Sequence, residues 1–323
     1  SIFFMKKVLI AGGAGFVGCN LCSEFIKSNY EVHVFDSNIQ YFYPMNKYSI
    51  KNMKYRHEHL LKDVNLIRGS TLDSNDLRRT INNIKPNYLI NLAALPLAAT
   101  AIKNTEEAFS SILKTTQNFL EILRDTEFID KYVHISSSMI YGDFVKSPNP
   151  ESAIKEPKEI YGSFKLASEY LVKGYTKRYN FNSVIIRPSA VYGPTDNNYR
   201  VIQKFIEAIL ENKKLTANKP KSNKLDFTYV KDLVKGIKLA TTTELDNLEI
   251  FNLTRGEGRT LQDVIDILRQ NLGEFDIEIS EDNSFYPKRG ALDISNAKNK
   301  LGYNPSFSLE EGIKDYISFL KSQ

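Results

Sequence analysis

The sequence predicts an α/β protein built on a doubly wound parallel sheet, with a smaller C-terminal α/β lobe. Three observations carry this expectation. Short apolar runs alternate with amphipathic helical patterns through the first half, which is how βαβ units read. A glycine-rich turn, Gly12 to Gly18, joins the first run to the first helical pattern. After Arg187 the alternation breaks into shorter pieces around Pro188, Gly193-Pro194 and the Lys/Asn/Pro-rich stretch Asn212 to Lys224.

In chain order, KVLIA (residues 7–11) is a buried strand and residues 16–27 a helix. EVHVF (31–35) is the second strand and residues 64–68 the third. Asp73 opens a helix running to Ile84, because an aspartate there can cap the first turn. YLINL (88–92) is the fourth strand, followed by a long helical pattern over 105–124. YVHIS (132–136) is the fifth strand, 161–178 another long helix, and SVIIR (183–187) the sixth strand. The expected division is 5–187 for the first domain, with a strand and helix contributed from about 225–255, and 188–323 mainly for the second lobe. The loop from Pro148 to Pro157, whose prolines favour an extended course, is expected to join that lobe.

Composition excludes several classes. With 323 residues, 42% hydrophobic, 25% charged and a net charge of +5, the chain is an ordinary globular one, not a disordered, coiled-coil or collagen-like chain. The charge is spread along the chain, which suits small anions better than nucleic acid. The longest apolar stretch, 88–102, is interrupted by Asn91, Pro96 and Thr100 and falls short of a membrane span. Lys6-Lys7 follow Ile2-Phe3-Phe4, the reverse of a secretory signal, and Met5 is the expected natural start. Cys19 and Cys22 lie one turn apart on the first helical pattern without a second pair or a nearby His. They read as helix thiols in a reducing, cytoplasmic compartment and not as a metal site. His33, His57, His59 and His134 show no metal spacing, and no metal is expected.

Gly12, Gly15 and Gly18 recur every third residue between strand and helix. One glycine permits the tight turn, the next a close approach of backbone to a pyrophosphate, and the third close packing of helix on strand. The helix N-terminus then offers N–H groups to phosphate. Asp36 ends the second strand, where a carboxylate accepts hydrogen bonds from a ribose diol. It would repel a 2′-phosphate, and residues 37–43 hold no Lys or Arg, so NAD is expected over NADP.

Tyr161 and Lys165, four apart on a helix, share one face. Ser136, Ser137 and Ser138 end the fifth strand, where a doubly wound sheet opens its crevice. A phenol of pKa near 10 becomes a useful base near pH 7 only after a shift of about three units, ~4 kcal/mol. A neighbouring ammonium and a positive nicotinamide are charges that could supply it. A serine hydroxyl would share the transferred proton.

The chain resembles the extended short-chain dehydrogenase/reductase family, the NAD-dependent nucleotide-sugar epimerases and dehydratases. The likeness runs through GGAGFVG (12–18), Asp36, LAA (92–94), SSSMIYG (136–142), YGSFK (161–165), RPSAVYGP (187–194), DFTYVKD (226–232) and LGYNPSFSLEEGI (301–313). It implies a Rossmann-type cofactor domain and a C-terminal substrate-binding lobe. By resemblance Ser137, Tyr161 and Lys165 are catalytic. Gly12, Gly15, Phe16, Val17, Asp36, Ser70, Thr71, Leu92, Ala93, Ala94, Tyr161, Lys165 and Pro188 line the cofactor. Ser137, Ser138, Met139, Ala190, Lys224 and Arg289 face the substrate, a nucleotide-diphosphate sugar. Relatives pair the helices matching 105–124 and 161–178 across a homodimer.

Dehydratases of the family carry Asp-Glu after the catalytic Ser/Thr, and decarboxylating relatives keep the Glu. Here Ser138 and Met139 stand there, so elimination lacks its acid/base pair and a 4-epimerase working through a 4-keto sugar is expected. An NDP-sugar 4-dehydrogenase or ketoreductase would need the same residues, and an inactive NAD-binding regulator is the alternative of another class. Several positions depart from the family: Ser70 for Asp, Ile112 for Asn, Ala190 for Asn, Leu225 for Arg and Pro96 for Lys. Lys224 and Arg289 are candidate replacement cations, Arg289 in the tail region where relatives carry a pyrophosphate arginine. Lys213, Lys214, Lys219 and Lys221 read as a solvated loop.

Overall fold

The computed structural model describes residues 4–39, 45–94, 101, 103–282 and 286–323; Pro96 lies outside them. Its centre is a seven-stranded, all-parallel sheet. The strands are β1 (Lys7–Ala11), β2 (Glu31–Asp36), β3 (Asn65–Arg68), β4 (Tyr88–Asn91), β5 (Lys131–Ile135), β6 (Ser183–Arg187) and β7 (Leu248–Asn252), in spatial order β7-β6-β5-β4-β1-β2-β3. Strand order reverses between β1 and β4, so the crevice at their C-terminal ends is the switch point where such sheets bind ligands. The expected doubly wound α/β fold is the one the chain adopts. β1, β4, β5 and β6 are buried along nearly their whole length, which is why they read as unbroken apolar runs.

Helices cover both faces. α1 (Phe16–Lys27) packs on one side with the later helix Val230–Thr242, and their buried residues Cys19, Leu21, Phe25, Leu233 and Ile237 form one core with the sheet. On the other side α3 (Ser74–Ile84), capped by Asp73 as expected, buries Leu77 and Ile81 against Phe119 and Leu123 of a following helix. Cys19 and Cys22 are free and fully buried, and burial pushes both thiols up.

Two differences from the sequence reading matter. The pattern over 105–124 is not one α-helix. A wider π-helical stretch, Phe109–Lys114, lies between the α-helical Thr105–Ala108 and Thr115–Leu123 and turns Ser110 and Ser111 toward the crevice. The segment after β2 carries a helix the sequence reading left unassigned. This is α2 (Lys47–Tyr55), running on into the π-turn Arg56–Leu60. Its lysines and asparagines hide the 3.6-residue period, because its inner face is largely polar: Ser49, Asn52 and Arg56 are buried.

A second core follows Pro188. Tyr192, Ile202, Phe205, Leu261, Ile265, Ile313 and Tyr316 belong to it. Between these segments the chain returns to the sheet through Val230–Thr242 and β7, which pairs in register with β6 from Leu248 against Ser183 to Asn252 against Arg187.

Candidate active site

The switch-point crevice holds a cavity of about 300 Å³. The glycine turn forms its floor. Gly12 has φ of +75°, and a Cβ there would stand 2.9 Å from the Ala93 nitrogen. A Cβ on Gly18 would meet the Gly12 carbonyl oxygen at 2.5 Å. Only glycine therefore lets the turn pass under Leu92-Ala93 while α1 starts against it. Gly15 is the N-cap of α1 and offers no side-chain acceptor, so the first-turn N–H groups face the cavity uncapped. Asp36 accepts from the Ala14 N–H at 2.9 Å and the Asn38 N–H at 2.7 Å. Each carboxylate oxygen keeps a lone pair for a further donor. These features fit a dinucleotide: bare N–H groups for its phosphates, a carboxylate for its ribose.

All the residues assigned to the cofactor from sequence line this cavity: Gly12, Gly15, Phe16, Val17, Asp36, Ser70, Thr71, Leu92, Ala93, Ala94, Tyr161, Lys165 and Pro188. Ser70 accepts the Leu72 N–H at 3.2 Å. Sequence reasoning missed Arg56, Ser49, Met53 and the loop Asn197–Arg200, which also line it. Arg56, 4% exposed, donates to the Ala14 carbonyl of the glycine turn at 3.2 Å and to the Thr195 carbonyl of the second lobe at 2.5 Å.

Tyr161 and Lys165 also line the cavity. The helix α4 (Ile160–Tyr179) brings Tyr161 and Lys165 to the cavity on one face. Ser137 lies two residues beyond the end of β5 and caps the short turn Ser138–Tyr141. Its hydroxyl accepts the Met139 N–H at 3.1 Å and hydrogen-bonds Tyr161. Burial pushes the Tyr161 phenol up, while the Arg200 charge and the Ser137 hydrogen bond pull it back. Lys165, 5% exposed, donates to the Ile135 carbonyl at 3.0 Å and lies 5.7 Å from the Tyr161 ring centre. Burial lowers its ammonium to about 8.

The substrate-side assignments divide. Ser138 and Met139 both contact the Arg289 guanidinium, Ser138 through its Oγ and Met139 through its sulfur at 3.1 Å. Ala190 has φ of +42° and packs against the second core. Lys224 is exposed, on a two-stranded ribbon opposite Thr260, and none of Ser137, Ser138, Met139, Ala190, Lys224 and Arg289 is among the residues that line the cavity. Lys214 pairs with Glu278 at 2.5 Å. Among the described residues no cluster of His, Cys, Asp or Glu could hold a metal, and no helix is long and apolar enough to cross a membrane.

A family model described as the NAD dependent epimerase/dehydratase family matches residues 8–254, from β1 to just beyond β7. The chain belongs to that family. Among the family's proteins, an uncharacterized UDP-glucose epimerase of Bacillus subtilis, YtcB, is 27% identical, with 98% of each chain covered. The UDP-glucuronic acid 4-epimerase of Bacillus cereus, solved with UDP-glucuronic acid and NAD, is 28% identical, covering 98% of this chain and 99% of the other at a TM-score of 0.88. The UDP-glucose 4-epimerase of Thermotoga maritima, solved with UDP-glucose, is 25% identical, with the same coverage and a TM-score of 0.87.

Proposed function

We propose that this family member is an NAD-dependent 4-epimerase of a nucleotide-diphosphate hexose. Ser137, Tyr161 and Lys165 are its catalytic residues, and the lobe formed mainly by 188–323 holds the sugar nucleotide. The observation carrying this reading is the hydrogen bond of Ser137 to Tyr161, which lines the cavity, with Met139, a side chain that cannot exchange protons, two residues after that serine. Epimerisation needs one proton acceptor and a reversible hydride acceptor, whereas elimination needs a further acid and base.

NAD, when bound, supplies a reversible hydride acceptor. Tyr161 takes the proton of the sugar hydroxyl as that carbon becomes a ketone, and returns it to the oxygen after the ring has turned over. Ser137 hydrogen-bonds the same oxygen in both states and so fixes it against Tyr161. Lys165 stabilises the phenolate by its charge, and Arg200, lining the same cavity, adds a second positive charge on that phenol. Because burial alone holds the phenol up, proton removal is favoured only when these cations and a positive ring are assembled together.

Mixing the protein with NDP-hexoses tests this. Equilibration of the two C4 epimers without build-up of the near-ultraviolet absorbance of reduced nicotinamide is expected. Stoichiometric or catalytic build-up would instead establish the dehydrogenase or ketoreductase. We further propose a homodimer through the helices around 105–124 and 160–179, supported by Phe109 and Tyr170, which stand 46% and 62% exposed on them. Sedimentation as a monomer at micromolar concentration would refute it.

A further inference from the structure

The glycine turn is gripped by a cation that does not belong to it. Ala14 is held at both its polar groups: its N–H donates to Asp36 Oδ2 at 2.9 Å, and its carbonyl accepts from Arg56 Nη1 at 3.2 Å. Arg56 follows directly on α2 and is 4% exposed. Gly15, the next residue after Ala14, is the N-cap of α1, and neighbouring Cα atoms lie about 3.8 Å apart. The guanidinium is thus anchored one residue from the helix start whose N–H groups face the cavity, and Arg56 lines that cavity itself.

Its contacts are all neutral. Besides the Ala14 carbonyl, Nη1 touches Met53 Sδ at 3.6 Å, Nη2 donates to the Thr195 carbonyl at 2.5 Å, and Nε is buried with no acceptor. Among the described residues no carboxylate forms an ion pair with it: Asp196, next to Thr195, accepts the Asn198 N–H at 3.0 Å and pairs with Arg200 at 3.8 Å. The acids that line the cavity are Asp36 and Glu107. Asp36 is turned to the N–H groups of Ala14 and Asn38, and Glu107 is exposed. A guanidinium taken out of water without a counter-ion is costly, and an anion arriving beside it recovers that cost.

We propose that Arg56 is the counter-charge for the diphosphate of the bound dinucleotide. This rests on the reading of the cavity as a dinucleotide site. A diphosphate is doubly negative, and the N–H groups and partial positive charge of a helix start answer only part of that. α1 adds no cation in its first turn: Phe16, Val17 and Gly18 stand there. The other cations that line the cavity are engaged elsewhere. Lys165 donates to the Ile135 carbonyl and lies 5.7 Å from the Tyr161 ring centre, and Arg200 pairs with Asp196. Arg56 is the cavity-lining cation that the glycine turn itself holds in place, so its ordering cost is met before the ligand arrives.

The test measures binding by calorimetry and thermal protection for NAD and ADP-ribose, which carry the diphosphate, and for adenosine, which does not. Arg56→Gln keeps an amide able to donate to a carbonyl and removes the charge. Its affinity for NAD and ADP-ribose should fall roughly 10- to 100-fold, the range of a charge-assisted hydrogen bond, with adenosine unaffected. Arg56→Lys should recover part of the loss. Native affinity for NAD should weaken as salt rises, and the slope should be shallower in Arg56→Gln. Equal loss on all three ligands, or a salt slope that the substitution leaves alone, would assign Arg56 to holding the turn and overturn the proposal. Unchanged NAD affinity in Arg56→Gln would overturn it while leaving the dinucleotide reading intact, and failure of the native protein to bind NAD would remove both. Should Arg56→Gln not fold, the native protein decides: inorganic pyrophosphate should displace NAD, and displacement no stronger than by sulfate at equal ionic strength would overturn the proposal.

Discussion

Arg187, the last residue of β6, holds Glu169 on α4 in a two-point grip, Nη2 to Oε1 at 2.7 Å and Nε to Oε2 at 3.1 Å, with both side chains fully buried. The same guanidinium donates to the Tyr141 hydroxyl at 2.9 Å, and Tyr141 donates to Asn252 on β7 at 2.6 Å. Glu169 lies one turn beyond Lys165, so this pair sets how α4 presents Tyr161 and Lys165 to the cavity. Glu169→Gln would leave the arginine charge buried and unpaired. Loss of about 3–5 kcal/mol of stability is expected, read by urea unfolding; an unchanged midpoint and slope would show that the pair is dispensable.

Tyr161→Phe keeps the ring that lines the cavity and removes the hydroxyl. Turnover should fall by roughly 100- to 10,000-fold while NAD binding, followed by calorimetry, stays near that of the native protein. Retained turnover would eliminate the proposed base.

Lys165→Met removes a cation from beside the phenol. Phenolate is the active form and its fraction rises with pH, so losing a positive neighbour raises the phenol pKa. The ascending limb of the kcat profile should move to higher pH. An unmoved limb with a merely lower plateau would mean that Lys165 positions and does not acidify.

His134 lies on β5 with its Nδ1 3.1 Å from the Tyr132 hydroxyl, and burial lowers its imidazole to about 3. The unfolded chain binds a proton near pH 6.5 that the native fold refuses, so stability is full above pH 6.5 and is lost as pH falls toward 3. Lowering the pH from 7 to 5 should cost about 2 kcal/mol through this group. His134→Met should flatten that slope; an identical slope in the variant would place the acid sensitivity elsewhere.

Arg56→Met would strand the Ala14 and Thr195 carbonyls that the guanidinium satisfies. A loss of about 1–3 kcal/mol is expected, with weaker NAD-induced thermal stabilisation. Unaltered NAD stabilisation would separate α2 from the cofactor.

The parallel sheet was legible because its central strands β1, β4, β5 and β6 are buried on both faces and are rich in Val, Ile, Leu and aromatic residues. The cofactor-side cavity was legible because a Cβ at Gly12 or Gly18 has nowhere to go. α2 was not, since its inward residues Asn52 and Arg56 make polar contacts that carry no hydrophobic period. Nor was the break at Phe109–Lys114, which leaves the side-chain pattern of a helix intact while widening one turn. Arg289 was legible as a cation but not in its surroundings, because Ser138 and Ser189 meet it from segments 100 and more residues away.

α2 reaches beyond the glycine turn. Asn52 donates to the Asp196 carbonyl and to Asn197, Asn197 donates back to the Ser49 carbonyl, Tyr48 bonds Glu211, and Asn46 bonds Glu207. The helix, whose Ser49 and Met53 line the cavity, is thus buckled to the second lobe. Escape of a bound dinucleotide would then be timed by how often this buckle unfastens, and not by how tightly the ligand is gripped. The proposed epimerase, which would hand the same hydride back each cycle, has no need of quick exchange, and a clasp of this kind would keep its charge aboard from one turnover to the next.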